Sequence, residues 1–347
     1  MPSSAASHDP RPLVGLTIGD PAGIGPEVVV GALQNTPMHD SARVVVIGDA
    51  SIVERARDLL GLRTAIRVIA HPDDGEFSVH CLNVLDPEAL AGEVVEWGRV
   101  QAAAGRAAFA YVRRGIELCL AGDLDAIATA PINKEALRLG EVPYLDHTAM
   151  LNALASSPDV LTMFTHRGRN LKIFFMARHM SLRRSCDEVT QENVFACVLK
   201  AHAALVRFAM PNPRIAVAAL NPHGGEHGMF GSEEQDEIAP AVERARERGI
   251  DARGPIPADA VFHQMLQGRY DAVISLYHDQ GHVAAKTLDF ERTVAVTTGM
   301  PFLRTSVDHG TAFDIAGKGI ASSVSIEEAV LVAADLVPLI RRSPMPS

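Results

Sequence analysis

An α/β fold with two domains is the architecture that the sequence predicts, and three observations predict it. The chain has 347 residues, more than a single core usually holds outside barrels. Short runs rich in Val, Ile and Leu alternate with longer helical patterns, as in a largely parallel sheet covered by helices. Hydrophobic residues make up 47% of the chain and charged residues 21%, proportions typical of a globular protein with a substantial core.

The aliphatic runs and the helical periodicities give the predicted elements in order. The predicted strands are residues 13–18, 43–48, 125–130, 171–176, 214–220, 271–276 and 293–298. Between residues 98 and 121 apolar side chains recur at steps of three and four, which predicts a long helix with one buried face. A second long helix is predicted to begin at Thr190, whose hydroxyl can cap it, and to stop at "PNP" (211–213).

Charge and cysteine usage exclude several classes of function. The net charge of −10 argues against non-specific binding to nucleic acid or to an anionic membrane, because both require a basic face. The four cysteines are dispersed without a CxxC pair, which favours a reducing, cytoplasmic environment. The opening residues "MPSSAASHDPRP" lack the apolar stretch of a signal peptide, and the chain has no apolar run long enough for a membrane span. Residues 1–11 are predicted to be a disordered extension.

The stretch "TIGDPAGIGPEVV" (17–29) lies where the first predicted strand passes into a helix. Pro26 suits the first helical turn, and Glu27 suits the positive end of the helix dipole. The glycines allow a sharp turn near a ligand, but their spacing matches neither the dinucleotide fingerprint nor the P-loop. A ligand-binding turn and a plain tight turn both remain open.

Several histidines lie in loops or at strand ends instead of on apolar helix faces. His223 and His278 each follow a predicted strand, where ligands bind in parallel sheets, and His147, His179 and His309 lie in comparable settings. Three such imidazoles are able to bind one divalent metal ion that keeps an open position for a ligand oxygen. The spacing matches no local metal motif, so backbone hydrogen bonding is the alternative for each of them.

Basic side chains occur near the same strand ends. Lys286 and Arg304 together are suited to hold a phosphate and a carboxylate, since lysine offers a point charge and arginine a bidentate fork. Lys134, just after a strand, is a third candidate. Surface ion pairs are the alternative for all three.

With these residues in hand, the chain resembles the 4-hydroxythreonine-4-phosphate dehydrogenase family, which acts in pyridoxal phosphate biosynthesis. The resemblance covers nearly all of residues 13–335. It depends on seven motifs in order: "TIGDPAGIGPE", "TAPINKEAL", "LDHTAM", "LNPHGGEHGMFGSEE", "GPIPADAVF", "YHDQGHVAAK" and "GMPFLRTSVDHGTAFDIAGKG".

The resemblance implies an NAD-dependent and metal-dependent oxidation of a hydroxyl beta to a carboxylate, followed by loss of carbon dioxide from the keto acid. His179, His223 and His278 would bind one divalent metal ion per subunit, and this ion would be Zn, Co, Mn or Mg. His147, Thr148, Lys286 and Arg304 would contact the substrate. The general base is left open among His147, Asp259 and Lys286. The resemblance also implies a homodimer with the site at the subunit interface.

The segment 306–323 is similar to the NAD loop of the isopropylmalate and isocitrate dehydrogenases. On this resemblance His309, Gly310, Asp314 and Gly317 would bind the cofactor; a preference for NAD over NADP is not set by these residues. The implied fold is two α/β/α lobes with a cleft between them, not a Rossmann fold. Residues 12–150 and 311–347 would form the first domain, and residues 151–310 the second, with the metal ligands and the dimer interface.

Two departures from the family pattern bear on the substrate. Ala295 stands where biosynthetic members commonly have Asn, and Asp146 and Ala149 flank the His-Thr pair in place of Gly and Glu. This pattern is similar to the catabolic branch, which oxidises and decarboxylates D-threonate or D-erythronate 4-phosphate. The alternative substrate is 4-phosphohydroxythreonine. A cyclic dihydrodiol dicarboxylate is disfavoured by the retained His147-Thr148 pair and Arg304.

Two other classes of function use the same residues. A metal-dependent hydrolase would employ the three histidines to activate water, and it would release phosphate without reducing NAD. A non-catalytic metal or nucleotide sensor would be expected to lack one of the histidines or the cofactor loop, and neither is missing.

Overall fold

The computed structural model describes residues 9–157 and 160–343. Its strands are β1 (Leu13–Thr17), β2 (Arg43–Ile47), β3 (Ala65–Val68), β4 (Cys81–Leu85), β5 (Ala126–Thr129), β6 (Leu161–His166), β7 (Leu171–Phe175), β8 (Ile215–Ala218), β9 (Ala252–Ile256), β10 (Ala272–Ser275), β11 (Val294–Thr298) and β12 (Leu303–Ser306). Its helices are α1 (Gly25–Ala32), α2 (Thr36–Ser41), α3 (Ala50–Leu59), α4 (Ala102–Ala121), α5 (Lys134–Leu139), α6 (His147–Leu154), α7 (Leu182–Asp187), α8 (Gln191–Arg207), α9 (Ala239–Glu247), α10 (Ala258–Leu266), α11 (His278–Leu288) and α12 (Val324–Arg342).

All of these strands join one mixed sheet, which confirms the predicted α/β class. The strand order is β3-β4-β2-β1-β5-β12-β11-β6-β7-β10-β8-β9. The two outer parts are parallel, whereas the pairings β12-β11, β11-β6 and β6-β7 in the middle are antiparallel. The carboxyl ends of β7, β10 and β8 therefore meet at one edge, and that edge positions the candidate site.

The predicted strands and the two long helices are present, with shifted ends. The first long helix begins at Ala102 instead of residue 98, because Gly98 has a φ of 73° that an α-helix does not accommodate. The second begins as predicted: Thr190 caps it by accepting a hydrogen bond from the Asn193 N–H. The prediction missed β3, β4, β6, β9 and β12.

The predicted domain boundaries cross a continuous sheet. Strand β12 pairs with β5 on one side and β11 on the other, so it joins the two halves. Helix α12 packs on β5, β11 and β12. Of the predicted extension, residues 1–8 lie outside the described part, and Arg11 forms an ion pair with Asp9. Within the described residues, none of the helices is long and apolar enough to cross a membrane.

Candidate active site

The three histidines predicted to bind metal follow the carboxyl ends of three neighbouring parallel strands. His179 follows β7, His278 follows β10 and His223 follows β8, and these strands are adjacent in that order. His223 lies in a loop where residues 223 to 227 all have positive φ, and its side chain is exposed. The sheet topology therefore brings the three segments to one edge.

His179 and His278 line the same cavity, whose volume is about 440 Å³. Their ring centroids are 6.3 Å apart. Burial lowers the pKa of His179, and the charges of Arg178 and Lys134 lower it further. His223 does not line this cavity, and within residues 9–157 and 160–343 no three His, Cys, Asp or Glu side chains form a group that could hold a metal ion.

Arg304 is a buried guanidinium on the sheet beside this region, with 7% of its surface exposed. It donates hydrogen bonds through Nε and Nη2 to Thr129 Oγ1, at 3.1 and 2.7 Å, and through Nη1 to Thr297 Oγ1 at 3.2 Å. Burial, followed by the charge of Arg178, lowers the pKa of Arg304 to about 9. Both partners of these three hydrogen bonds are uncharged hydroxyls, so the protein leaves the positive charge available to an anion.

His147 and Thr148 begin helix α6 next to this arginine. Asp146 caps the helix by accepting a hydrogen bond from the Ala149 N–H at 2.9 Å. Burial and the charge of Arg304 hold the pKa of His147 well below its usual range, so its imidazole is neutral at neutral pH. Its Nε2 atom is buried and has no hydrogen-bond partner among the described residues. This atom is therefore available to form a hydrogen bond with a ligand.

Arg178 is a residue of the site that the sequence interpretation missed, although it directly precedes His179. It lines the cavity with His179 and His278, and its Nη2 lies 3.5 Å from Thr148 Oγ1. Its charge lowers the pKa of Arg304, so the two guanidiniums are near each other. In the described part of the chain neither arginine forms an ion pair, and the pair defines a cationic site.

Helix α11 carries a row of site side chains one turn apart. His282 stacks on His278 with ring centroids 3.6 Å apart. Burial lowers the pKa of His282 to about 4. Lys286, one turn further on, donates to the Asp308 backbone oxygen at 3.1 Å and forms an ion pair with the Asp308 carboxylate at 2.7 Å. Lys286 is thus held beside the segment that carries the predicted cofactor residues.

Asp259, the third candidate base, lies in a different depression. It lines a groove of about 810 Å³ between α10 and α11, together with Phe262, Val283 and Leu288. Tyr277 and Asp279 line both this groove and the histidine cavity, so the two depressions adjoin. Within one chain, Asp259 is not among the residues that line the histidine cavity.

The predicted cofactor loop is fastened to the first strand-to-helix turn. The buried Glu27 carboxylate accepts hydrogen bonds from the N–H groups of Gly317 and Gly319. A Cβ atom on Gly317 would meet Trp97 Cε3 at 2.3 Å, so Gly317 is required by packing within the protein. His309 Nδ1 contacts the Gly310 oxygen, and Gly310 and Asp314 are exposed.

The substituted position Ala295 lies on the same face of the sheet as Arg304. Ala295 is paired with Ser306, and Thr297 is paired with Arg304 in the antiparallel β11-β12 ladder. Directly opposed residues project to one face, and so do residues two apart. Ala295 therefore removes a potential polar contact from the face that bears the cationic site.

The fold and this site together define a mixed α/β enzyme with a cationic pocket. A sequence model described as "Pyridoxal phosphate biosynthetic protein PdxA" matches residues 40–333. The chain belongs to this family, which confirms the resemblance carried by the motifs. A Clostridium botulinum protein named "Putative D-threonate 4-phosphate dehydrogenase" is 48% identical over 332 residues, which cover 96% of this chain and 99% of that protein.

Two solved structures extend the comparison. The crystal structure of 4-hydroxythreonine-4-phosphate dehydrogenase from Klebsiella pneumoniae has a TM-score of 0.87 and 41% identity, and the match covers 94% of this chain and 99% of that one. A terephthalate 1,2-cis-dihydrodiol dehydrogenase from Burkholderia xenovorans has a TM-score of 0.65 and 27% identity, covering 94% of this chain and 98% of that one. All three of these relatives are named as dehydrogenases.

Proposed function

We propose that this protein oxidises the 3-hydroxyl of a 4-phosphorylated four-carbon hydroxy acid, D-erythronate or D-threonate 4-phosphate, and decarboxylates the resulting 3-keto acid. The observation that carries the proposal is the pair Arg178 and Arg304, neither of which is ion-paired among the described residues. Such a substrate has two anionic groups, and buried guanidiniums bind carboxylate and phosphate strongly. The 48% identity to the Clostridium botulinum protein named "Putative D-threonate 4-phosphate dehydrogenase" supports the proposal.

The residues around this pair supply the remaining roles. Arg304 and Arg178 bind the anionic groups, and Thr148 orients the substrate from the start of α6. His147 is neutral with a free Nε2, so it is suited to accept the proton of the 3-hydroxyl. Lys286 is the second candidate for proton transfer, and its ion pair with Asp308 holds it beside the cofactor loop.

The donor chemistry of the histidines fits a divalent metal ion. His179 is neutral at neutral pH, as a metal ligand must be, and it shares a cavity with His278. Because His223 lies outside this cavity within one chain, it would come from the second subunit, and the three histidines would then hold one Zn, Co, Mn or Mg ion per subunit. When bound, such an ion supplies Lewis-acid polarisation of a substrate oxygen. NAD is the proposed hydride acceptor, at the loop that contains His309, Gly310, Asp314 and Gly317.

The site is proposed to lie at the interface of a homodimer. The loop that carries His223 also exposes Met229 and Phe230, which are 72% and 48% exposed, and α11 exposes Val283 at 62%. Exposed apolar side chains of this kind suit burial against a second copy. We also propose that residues 12–150 and 311–347 form one domain and residues 151–310 the other. A cytoplasmic location with reduced thiols is proposed as well, and the four cysteines are free.

A second candidate function is 4-hydroxythreonine-4-phosphate dehydrogenase, which the 41% identical structure favours. A cyclic dihydrodiol substrate is supported only by a relative of 27% identity. A substrate panel decides among them, with formation of reduced nicotinamide as the signal. D-erythronate or D-threonate 4-phosphate is expected to give the highest kcat/KM. A higher kcat/KM for 4-phosphohydroxythreonine overturns the first proposal, and metal-dependent phosphate release without NAD reduction would indicate a hydrolase.

The metal and dimer proposals have separate tests. We expect chelator treatment to abolish turnover, and His223→Ala to lose turnover even when metal is restored. If the site is shared, a mixture of His179→Ala and His223→Ala subunits regains part of the activity, because some mixed dimers contain one intact site. Full activity of His223→Ala, or a mixture with none, would contradict these proposals.

A further inference from the structure

Arg178 places a positive charge in the cavity, and none of the described residues forms an ion pair with it. The one hydrogen bond of its side chain, among the residues that the structure describes, is the contact of 3.5 Å with Thr148 Oγ1. A contact of this length is weak. Burial lowers the pKa of Arg178, but a guanidinium stays protonated at neutral pH. The fold thus keeps a costly charge where His179 and His278 open to the cavity.

The charges that surround Arg178 leave the cavity positive. Arg304 and Lys134 add positive charge near it. Asp146 and Asp308 are the carboxylates whose charges act on Arg178. Asp308 is already paired with Lys286 at 2.7 Å. Asp279 also lines the cavity, where its carboxylate contacts His278 Nδ1 at 2.6 Å. Two carboxylates, Asp146 and Asp279, therefore face Arg178, Arg304 and Lys134, and the excess charge is cationic.

We propose that Arg178 is a specificity-determining residue that selects a substrate with an uncharged hydroxyl at C2 and rejects one with an ammonium group there. This inference rests on the proposed function, because it concerns the same site. The two competing substrates differ in this substituent: the sugar acid phosphates have a C2 hydroxyl, and 4-phosphohydroxythreonine has a C2 ammonium. Both have a carboxylate at C1 and a phosphate at C4.

The short carbon chain makes the discrimination independent of which end meets the arginines. In a four-carbon chain the C2 substituent lies within about 6 Å of either anionic group. A cationic substituent is therefore repelled by Arg178 in either orientation, whereas a hydroxyl is not. Once the length of the ion-pair contact is added, the ammonium lies on the order of 7 to 10 Å from Arg178. Near a protein surface the repulsion at this distance corresponds to a factor on the order of tenfold to hundredfold in kcat/KM.

The test compares four proteins on two substrates. Wild type, Arg178→Gln, Arg178→Lys and Arg183→Gln are assayed with D-threonate 4-phosphate and with 4-phosphohydroxythreonine. The quantity measured is the ratio of the two kcat/KM values. Arg183 is exposed and does not line the cavity, so its substitution is the matched control for loss of one charge.

The selectivity ratio is expected to fall on the order of tenfold to hundredfold in Arg178→Gln. It is expected to stay within about twofold of wild type in Arg178→Lys, which keeps the charge, and in Arg183→Gln. An unchanged ratio in Arg178→Gln, or an equal fall in Arg178→Lys, overturns the inference. Arg178→Met takes the place of Arg178→Gln if the latter does not fold.

Direct binding gives a second readout that does not require turnover. Calorimetry without nicotinamide nucleotide measures the dissociation constants of both substrates, and their ratio should change in the same direction. An unchanged ratio of dissociation constants in an inactive Arg178→Gln protein also overturns the inference. Failure of the proposed function looks different: wild type itself would then prefer the amino substrate or oxidise neither.

Discussion

The Glu27 side chain accepts a hydrogen bond from the backbone N–H of Gly319 at 3.0 Å, although the two residues lie near opposite ends of the chain. Glu27 is 2% exposed and also accepts from the Gly317 N–H. Helix α1 thereby holds the loop that carries the predicted cofactor residues. A carboxylate in the first turn of this helix is favoured by the helix dipole as well.

Replacing Glu27 should loosen this loop. Glu27→Ala leaves two backbone donors unpaired, and we expect the free energy of unfolding to fall by about 2 to 3 kcal/mol. Glu27→Gln keeps one acceptor oxygen and should lose about half as much. Urea unfolding measures both changes, and the KM for NAD should rise more in the alanine variant. Glu135→Gln, an exposed first-turn residue of α5, is the control and should change neither quantity.

Gly317 gives a second test of the same loop. Its φ is 77°, and a Cβ atom there would lie 2.3 Å from Trp97 Cε3. We expect Gly317→Ala to lower the free energy of unfolding by about 2 kcal/mol or more, through strain and overpacking. Trp97 is the single tryptophan, so its emission should change as well.

The control for Gly317→Ala separates strain from overpacking. Gly122 has a φ of 85°, and a Cβ atom there would meet no other atom within 4 Å, so Gly122→Ala tests the backbone strain alone. This substitution should lower the free energy of unfolding by about 1 kcal/mol and leave the tryptophan emission unchanged. Equal losses in the two variants would mean that contact with Trp97 does not constrain the loop.

The sequence was sufficient for features that depend on local pattern. The cap at Thr190 and the histidines after β8 and β10 follow from residue type and position along the chain. Arg178 was missed because its importance depends on its approach to Arg304, which only the folded sheet brings about. Strand β3 was missed because its side chains are largely exposed at the sheet edge and show no alternation.

Asp20 makes the stability of the protein depend on pH. Its side chain is fully buried, and burial raises the pKa of Asp20 to about 6. The folded state therefore holds this proton more tightly than the unfolded state, so the stabilisation is present below about pH 4 and is lost as the pH rises through about 6. At neutral pH, where Asp20 is ionised, the free energy of unfolding should be about 3 kcal/mol lower than it is with Asp20 protonated.

Asp20→Asn removes this titration while keeping an oxygen that can accept the Ala22 N–H. The free energy of unfolding of the variant, relative to wild type, should therefore rise by about 2 kcal/mol between pH 4.5 and pH 7.5, values on either side of the raised pKa of about 6. Urea unfolding at the two pH values measures this difference. A constant difference would show that Asp20 titrates normally in the folded protein.

Arg304 is expected to favour anion binding without adding to the stability of the fold. Because its charge is buried against hydroxyl groups alone, Arg304→Met is expected to leave the free energy of unfolding unchanged or to raise it by about 1 kcal/mol in phosphate-free buffer. Inorganic phosphate should raise the Tm of wild type, since it binds the folded state, and should raise that of Arg304→Met much less. Arg214→Met, which removes an arginine paired with Asp271, should keep the phosphate response. A loss of more than about 2 kcal/mol in Arg304→Met without phosphate would instead make this guanidinium a structural group whose hydroxyl contacts hold the sheet together.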